Sequence, residues 1–178
     1  MTEYCSLIIT PDVIYREQSE SILNDILGFT GARIVWRAYR KVQEAAVCSL
    51  YPHKVYKSYF KSMVRCYIAG ESLVVLLAGK EGLTQTIKER KGRFYVNKNG
   101  SLDISGLRLK YGASIIKRRA QHDSEETFEF RIHCSDNLDE SALICALFMD
   151  DCNCLALENR LFYLKIEALK IKLADNNL

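Results

Sequence analysis

Ser72 to Gly79 reads SLVVLLAG, a run with no charged side chain. A run so short and so apolar suits a fully buried strand, and such a strand needs a sheet with helices packed over it. The neighbouring segments alternate accordingly. YCSLIIT, Tyr4 to Thr10, is another buried strand, closed by Pro11-Asp12. SESILNDILGFTG predicts a helix with Ile22, Leu23, Ile26 and Leu27 on one side and Gly28 or Gly31 to end it. ARIVWRAYR follows as a strand, and a short helical piece spans about Val42 to Leu50. In HKVYKSYFKSMVRCYIAG, Val55, Tyr59, Met63 and Tyr67 recur every four residues, as do Tyr56, Phe60, Val64 and Ile68. That spacing predicts one long amphipathic helix. GLTQTIKERKG predicts a further helix after the SLVVLLAG strand. The order is that of an α/β (α+β) protein, a ferredoxin-like βαββαβ sheet covered by helices.

Two segments interrupt the rhythm. RFYVNKNGSLDISG has two short β-type runs about Lys98-Asn99-Gly100, a hairpin or extended loop. ASIIKRRAQHDSEET is polar and charged, and predicts an exposed loop or mobile arm. At the end, CLALENRLFYLKIEALKIKL lines up Leu157, Leu161, Leu164 and Ala168, with Phe162, Ile166, Leu169 and Leu173 beside them. This is an extra C-terminal amphipathic helix, suited to docking on its own domain or on a partner subunit. The organisation is one domain over 1–150 and a helical extension over 151–178.

The formal charge of +3 provides little electrostatic footprint, so nucleic acid is an unlikely partner. Seven cysteines form no Cys-x-x-Cys pair, an odd count that points to reduced thiols in a cytoplasm. Cys152 and Cys154 lie close in sequence, but no histidine is near them, so idle thiols are the expectation rather than a zinc site. No apolar run reaches the roughly 20 residues of a membrane span.

Chemistry concentrates in RIHCSDN, Arg131 to Asn137. TFEFRIH before it alternates as a half-buried strand, and SDNLDESALICALF begins with cap-type residues and runs into a helical pattern. His133 therefore ends a strand where a helix begins. An imidazole there is either a nucleophile or a pocket residue without turnover.

The Thr-Pro-Asp strand end, the Tyr-Phe helix, the helix carrying Arg90 and His133-Cys134-Ser135-Asp136 together resemble the nucleoside diphosphate kinase family, over about Tyr4 to Phe148. The resemblance implies that His133 takes the terminal phosphate of a nucleoside triphosphate and passes it to a diphosphate, with Mg²⁺ on the nucleotide and no direct protein ligation of metal. It implies that Ser135 supports the phosphate and that Asp136 holds the strand-to-helix turn as helix cap. Tyr59 would stack on the base above Met63, with Arg90 and Tyr51 on phosphates. It also implies a homo-oligomer.

The chain departs from the family pattern at the site itself. The lysine of Lys-Pro-Asp is Thr10, leaving Asp12 in place. The asparagine that contacts the sugar is Phe130, and the glycine after the histidine is Cys134. The helix glutamate that orients the histidine is replaced by Ile144 or Cys145, and the loop arginine aligns with Leu109 between Arg108 and Lys110. Lys117-Arg118-Arg119 offers positive charge from a new direction. Two outcomes fit these changes. One is a divergent phosphotransferase with a specialised acceptor; the other is a nucleotide-binding or scaffolding module without turnover.

Overall fold

In the computed structural model, residues 2–14, 17–96, 102–119, 124–155, 157 and 159–175 are described. The first strand, β1 (Glu3–Ile9), is buried throughout after Glu3. Helices α1 (Pro11–Ile14) and α2 (Ser19–Thr30) follow, and α2 stops at Gly31 rather than Gly28. Gly31 takes φ 61° and returns its N–H to Leu27 O at 2.8 Å, a left-handed cap that a side chain would resist. Next come β2 (Arg33–Lys41) and α3 (Glu44–Leu50).

The long helix expected after α3 is shorter. A single 3-10 turn covers Pro52–Lys54, residues 55–59 form turns, and α4 runs only from Phe60 to Ile68. Its spacing continues the α4 pattern backwards, but no core lies beneath it. Tyr56 is 95% exposed and Val55 and Tyr59 are also open to solvent, whereas Phe60, Met63, Val64 and Tyr67 are buried. Burial of an apolar face, rather than spacing, decides how far a helix extends.

β3 (Glu71–Gly79) is the apolar run, and α5 (Leu83–Lys91) follows it. β4 (Phe94–Val96) and β5 (Leu102–Ile104) pair antiparallel, and Lys98-Asn99-Gly100, about which the hairpin or extended loop is expected, lies outside the described residues. α6 (Gly106–Lys110) leads to β6 (Ser114–Arg119), which pairs with β7 (Ser124–Glu129). The segment expected as an irregular arm is thus a two-stranded ladder, in which Lys117 and Arg118 stand opposite Glu126 and Glu125. The Lys117, Arg118 and Arg119 side chains and all of His122 lie outside what is described, so the expected contribution of charge by this run is not placed.

β8 (Ile132–Cys134) enters the main sheet, and α7 (Leu138–Phe148), α8 (Asp151–Leu155) and α9 (Arg160–Asp175) complete the chain. The main sheet has the order β2-β3-β1-β8 with antiparallel neighbours, the ferredoxin-like arrangement. Alternation along its central strands explains their unbroken apolarity. Tyr4 and Ile8 of β1 join Val74, Leu76 and Ala78 of β3 on one face, packed with α3, α4, α7 and α9. Leu7 and Ile9 join Leu73, Val75 and Leu77 on the other, packed with α2 and α5. Both faces need apolar residues because both are covered.

The tail helix docks on its own domain. Phe162 and Ile166 are buried, and the Phe162 ring stacks on Tyr4 of β1 at 4.6 Å and 3°. Leu161 and Leu164, expected on the docking side with Leu157, are exposed instead. No helix among the described residues is long and apolar enough to cross a membrane.

Candidate active site

The chain enters β8 through an unusual residue. Arg131 has φ 67°, a left-handed backbone that a non-glycine residue adopts only when its surroundings hold it there. Its guanidinium is fully buried, bonded to Asp12, to Glu129 Oε2 at 2.6 Å and to Gly112 O. A tight turn, Ile132 N–H to Phe130 O at 2.8 Å, sets Phe130 to one side of the strand. The strand then alternates. Ile132 and Cys134 enter the core beneath α2 and α5, and His133, opposite Ile8, faces α3 and α4.

His133 is 7% exposed, and both ring nitrogens have neighbours. Nδ1 lies 2.7 Å from the Tyr51 hydroxyl, which is itself 2.8 Å from the Tyr67 hydroxyl. Nε2 lies 3.3 Å from Glu140 Oε1, within ion-pair reach but without hydrogen-bond alignment, so no aligned acceptor meets it among the described residues. These contacts select a tautomer. A bare Nε2 lone pair against the Glu140 carboxylate would be repulsive, so the proton belongs on Nε2. Tyr67 then donates to Tyr51, and Tyr51 donates to the Nδ1 lone pair.

The charge states agree with this chain. Burial pushes the His133 pKa below its ordinary value, outweighing the pull of Glu140, so the ring is neutral at pH 7. Burial, reinforced by Tyr67, pushes Tyr51 well above the usual phenol range, and it stays protonated. Burial acts to raise Glu140, but its contacts with His133 and with the Asp136 N–H overcome that and hold the carboxyl low. The free lone pair of the ring is therefore on Nδ1, and Glu140 lies beside the protonated Nε2.

Ile144 and Cys145, at the position expected for an orienting glutamate, leave no carboxylate there, but Glu140 brings one to the ring. It stands one turn before Ile144, on the same helix, and reaches back to the Asp136 N–H while Asn137 Oδ1 accepts the Glu140 N–H at 2.9 Å. Its signal was legible as a capping pattern, Asn137-Leu138-Asp139-Glu140. The cap is accordingly Asn137 and not Asp136, which instead pairs with Lys88 of α5 at 3.1 Å.

Around the imidazole lies a cleft of about 210 Å³. Tyr51, Tyr67, Cys134 and Asp136 border it beside His133. Lys54, Lys91 and Arg108 bring positive charge to it, and none of the three has a carboxylate within 4 Å among the described residues. Lys54 Nζ stands 4.6 Å over the Tyr51 ring, and burial lowers its pKa despite Asp136 and Glu140 nearby. Arg108 is braced by the backbone, Nη1 to Gly92 O at 3.3 Å and Nη2 to Ile132 O at 3.0 Å. That bracing depends on two glycines. A Cβ at Gly92, φ 81°, would lie 2.1 Å from Ser105 O, and one at Gly106, φ 62°, would lie 2.4 Å from Arg90 O. Met63, Phe94 and Phe130 form an apolar wall, with Phe94 and Phe130 edge to face at 4.8 Å.

The nucleoside diphosphate kinase family model matches residues 3–154. The chain belongs to that family. No curated protein matches it. Among solved structures, the nucleoside diphosphate kinase of Halobacterium salinarum, determined with CDP, aligns with a TM-score of 0.67 at 18% identity, over 93% of this chain and 99% of that one. The enzyme of Aquifex aeolicus aligns at 0.65 and 14%, over 86% and 99%. That of Encephalitozoon cuniculi aligns at 0.63 and 17%, over 84% and 90%. At such identities the structures show a shared fold.

Within this nucleoside diphosphate kinase fold, the expected site residues divide. His133, Tyr51, Met63, Phe130, Cys134 and Asp136 meet at the cleft. Ser135 is fully buried on the far side, where its hydroxyl takes the Ser6 N–H at 3.1 Å and shares a proton with Ser141 Oγ at 2.6 Å. It pins β8 to β1 and α7. Thr10 is buried too, its hydroxyl on Asp12 and its N–H on Arg131 O at 3.1 Å. Arg90 is exposed on α5, and its neighbour Lys91 turns inward, since one residue of helix rotates a side chain by about 100°. Leu109 is exposed and Lys110 bonds Asp25 at 2.6 Å, which leaves Arg108 for the cleft. Tyr59 lies outside the cleft lining. Lys54, Lys91 and Glu140 are the residues that sequence reasoning missed, although the capping pattern of Glu140 was readable; Arg108 was named only as a flank of Leu109.

Proposed function

We propose that this chain is a phosphotransferase that moves the terminal phosphate of a nucleoside triphosphate through His133 to a diphosphate or a specialised acceptor. One observation carries the reading: a buried neutral imidazole, with its Nδ1 lone pair held by Tyr51, shares a small cleft with three cations that have no carboxylate within 4 Å among the described residues. Such a cluster takes an anion, and phosphate oxygens fit it.

In the reaction, the Tyr51 hydroxyl yields its place at Nδ1 to the terminal phosphorus. Lys54, Lys91 and Arg108 offset charge on the phosphate oxygens, so the cation missing at Thr10 is supplied by other elements. Nε2 keeps its proton, and Glu140 opposes the positive charge that the phosphorylated ring acquires. Mg²⁺, when bound, neutralises further phosphate charge. The one carboxylate lining the cleft, Asp136, is engaged by Lys88, and no group of three potential ligands occurs among the described residues, so the ion would be held mainly by phosphate oxygens and water. We also propose a homo-oligomer in a reducing cytoplasm, where Cys5, Cys66, Cys134, Cys145 and Cys154 persist as buried free thiols.

The test is incubation with Mg²⁺ and ATP labelled on its terminal phosphate. An acid-labile, base-stable label on the native chain and none on His133→Ala is expected. ATP binding without label would assign the chain to the binding module instead.

A further inference from the structure

We infer that this site recognises the phosphate chain of its donor and not the nucleoside, so that inorganic triphosphate phosphorylates His133 about as well as ATP does. The inference rests on the phosphotransferase reading above and narrows its substrate class.

Size is the first ground. At about 210 Å³ the cleft falls below the roughly 300–1,000 Å³ of pockets that enclose a drug-sized ligand. It has room for a short run of phosphates beside His133. The chemistry of the walls is the second. The cations that line the cleft are Lys54, Lys91 and Arg108, all suited to phosphate oxygens; of the carboxylates beside them, Asp136 is paired with Lys88 and Glu140 faces Nε2. The remaining wall of Met63, Phe94 and Phe130 offers no hydrogen bond. A sugar hydroxyl pressed against it would lose water and gain no partner. Rejection of a polar group by an apolar wall is modest, but recognition of it is nil.

The third ground is where the aromatic residues lie. Tyr67, the tyrosine ring inside the cleft beside Tyr51, spends its hydroxyl on Tyr51, and its ring sits 6.5 Å from Phe130, tilted by 32° and not parallel to it. Tyr59 and Tyr56 are exposed outside the lining. A nucleoside would therefore extend past the rim, making few contacts that its absence could remove.

The step balances without a further reagent. The Nδ1 lone pair forms a bond to the terminal phosphorus. The bond from that phosphorus to the bridging oxygen breaks, and its electron pair leaves with pyrophosphate. Nε2 retains its proton, with Glu140 opposite the charged ring. Transfer to a diphosphate acceptor, or to water, restores the neutral imidazole.

The experiment compares donors on the full chain with Mg²⁺. Inorganic triphosphate labelled on a terminal phosphate, ATP labelled on its terminal phosphate and the 2′,3′-dideoxy form of ATP are each followed by the rate of acid-labile labelling, with His133→Ala as control. Rates within about tenfold of one another are expected, from the small share of contacts left to the nucleoside. Lys54→Gln should slow all three by a similar factor. Labelling by ATP with triphosphate at least 100-fold slower would overturn the inference and leave the phosphotransferase reading standing. No label from any donor would overturn both. Binding titrations of triphosphate and ATP on the native chain give a second readout, and a preference for ATP beyond 100-fold would also reject the inference.

Discussion

Glu140 sits seven positions after His133, yet its carboxylate is 3.3 Å from Nε2 because the turn between β8 and α7 folds the helix start back over the strand end. Its effect on chemistry has a definite sign. It raises the His133 pKa against the stronger lowering by burial, so Glu140→Gln should lower that pKa further. In the native chain the His133 pKa is below 6.5, so the labelling rate should be flat above that pH and fall as acid protonates Nδ1. In Glu140→Gln the acid limb should move to lower pH, while the plateau falls about tenfold as the ring charge loses its partner. A pH–rate profile between about pH 5 and 8 reads both effects. An acid limb that stays in place or moves up would contradict the assigned role. The sequence offered half of this. Asn-x-x-Glu marked the helix start, but no pattern along the chain showed which ring nitrogen the carboxylate would meet.

At the scale of elements, α9 and α4 show how packing overrides spacing. Both apolar lines of α9 have helical periodicity, but only the one through Phe162 and Ile166 reaches the core, and Leu161 on the other is 80% exposed. Phe162→Ala should therefore cost about 3–5 kcal/mol, as loss of a fully buried aromatic does. Leu161→Ala should change stability by less than about 0.5 kcal/mol. Urea unfolding of the two variants decides the matter, and equal losses would place the docking face wrongly. The strands were readable because both of their faces are covered, so apolarity alone marked them. The start of α4 was not, since Val55, Tyr56 and Tyr59 fit the pattern without having anything to pack against.

Across the whole molecule, Arg131 ties together parts that are distant in sequence: Asp12 of α1, Glu129 at the end of β7, and Gly112 after α6. Removing one partner of a buried ion pair leaves charge without compensation, at about 3–5 kcal/mol. Arg131→Met should lose that much and release the left-handed turn before His133. For comparison, Asp150→Asn breaks the more exposed pair with Arg40, and should cost no more than about 1 kcal/mol. Thermal unfolding of both variants checks the contrast, and a small loss for Arg131→Met would mean the cluster contributes little.

The sequence by itself determined the main strands, the helices over them, the strand-to-helix position of His133 and the family resemblance, because each follows from local periodicity or from a short contiguous motif. Only the tertiary structure decided which cations serve the cleft. Lys54, Lys91 and Arg108 come from three separate elements, and their convergence depends on how a turn, a helix end and a glycine-crossed loop stack beside β8. It also decided that the hydroxyls of Ser135 and Thr10 are taken up away from the cleft, by Ser6 and Ser141 and by Asp12, and that Lys91 rather than Arg90 faces it, since one residue along a helix turns a side chain by about 100°. A motif names residue types in order, but facing is a property of packing.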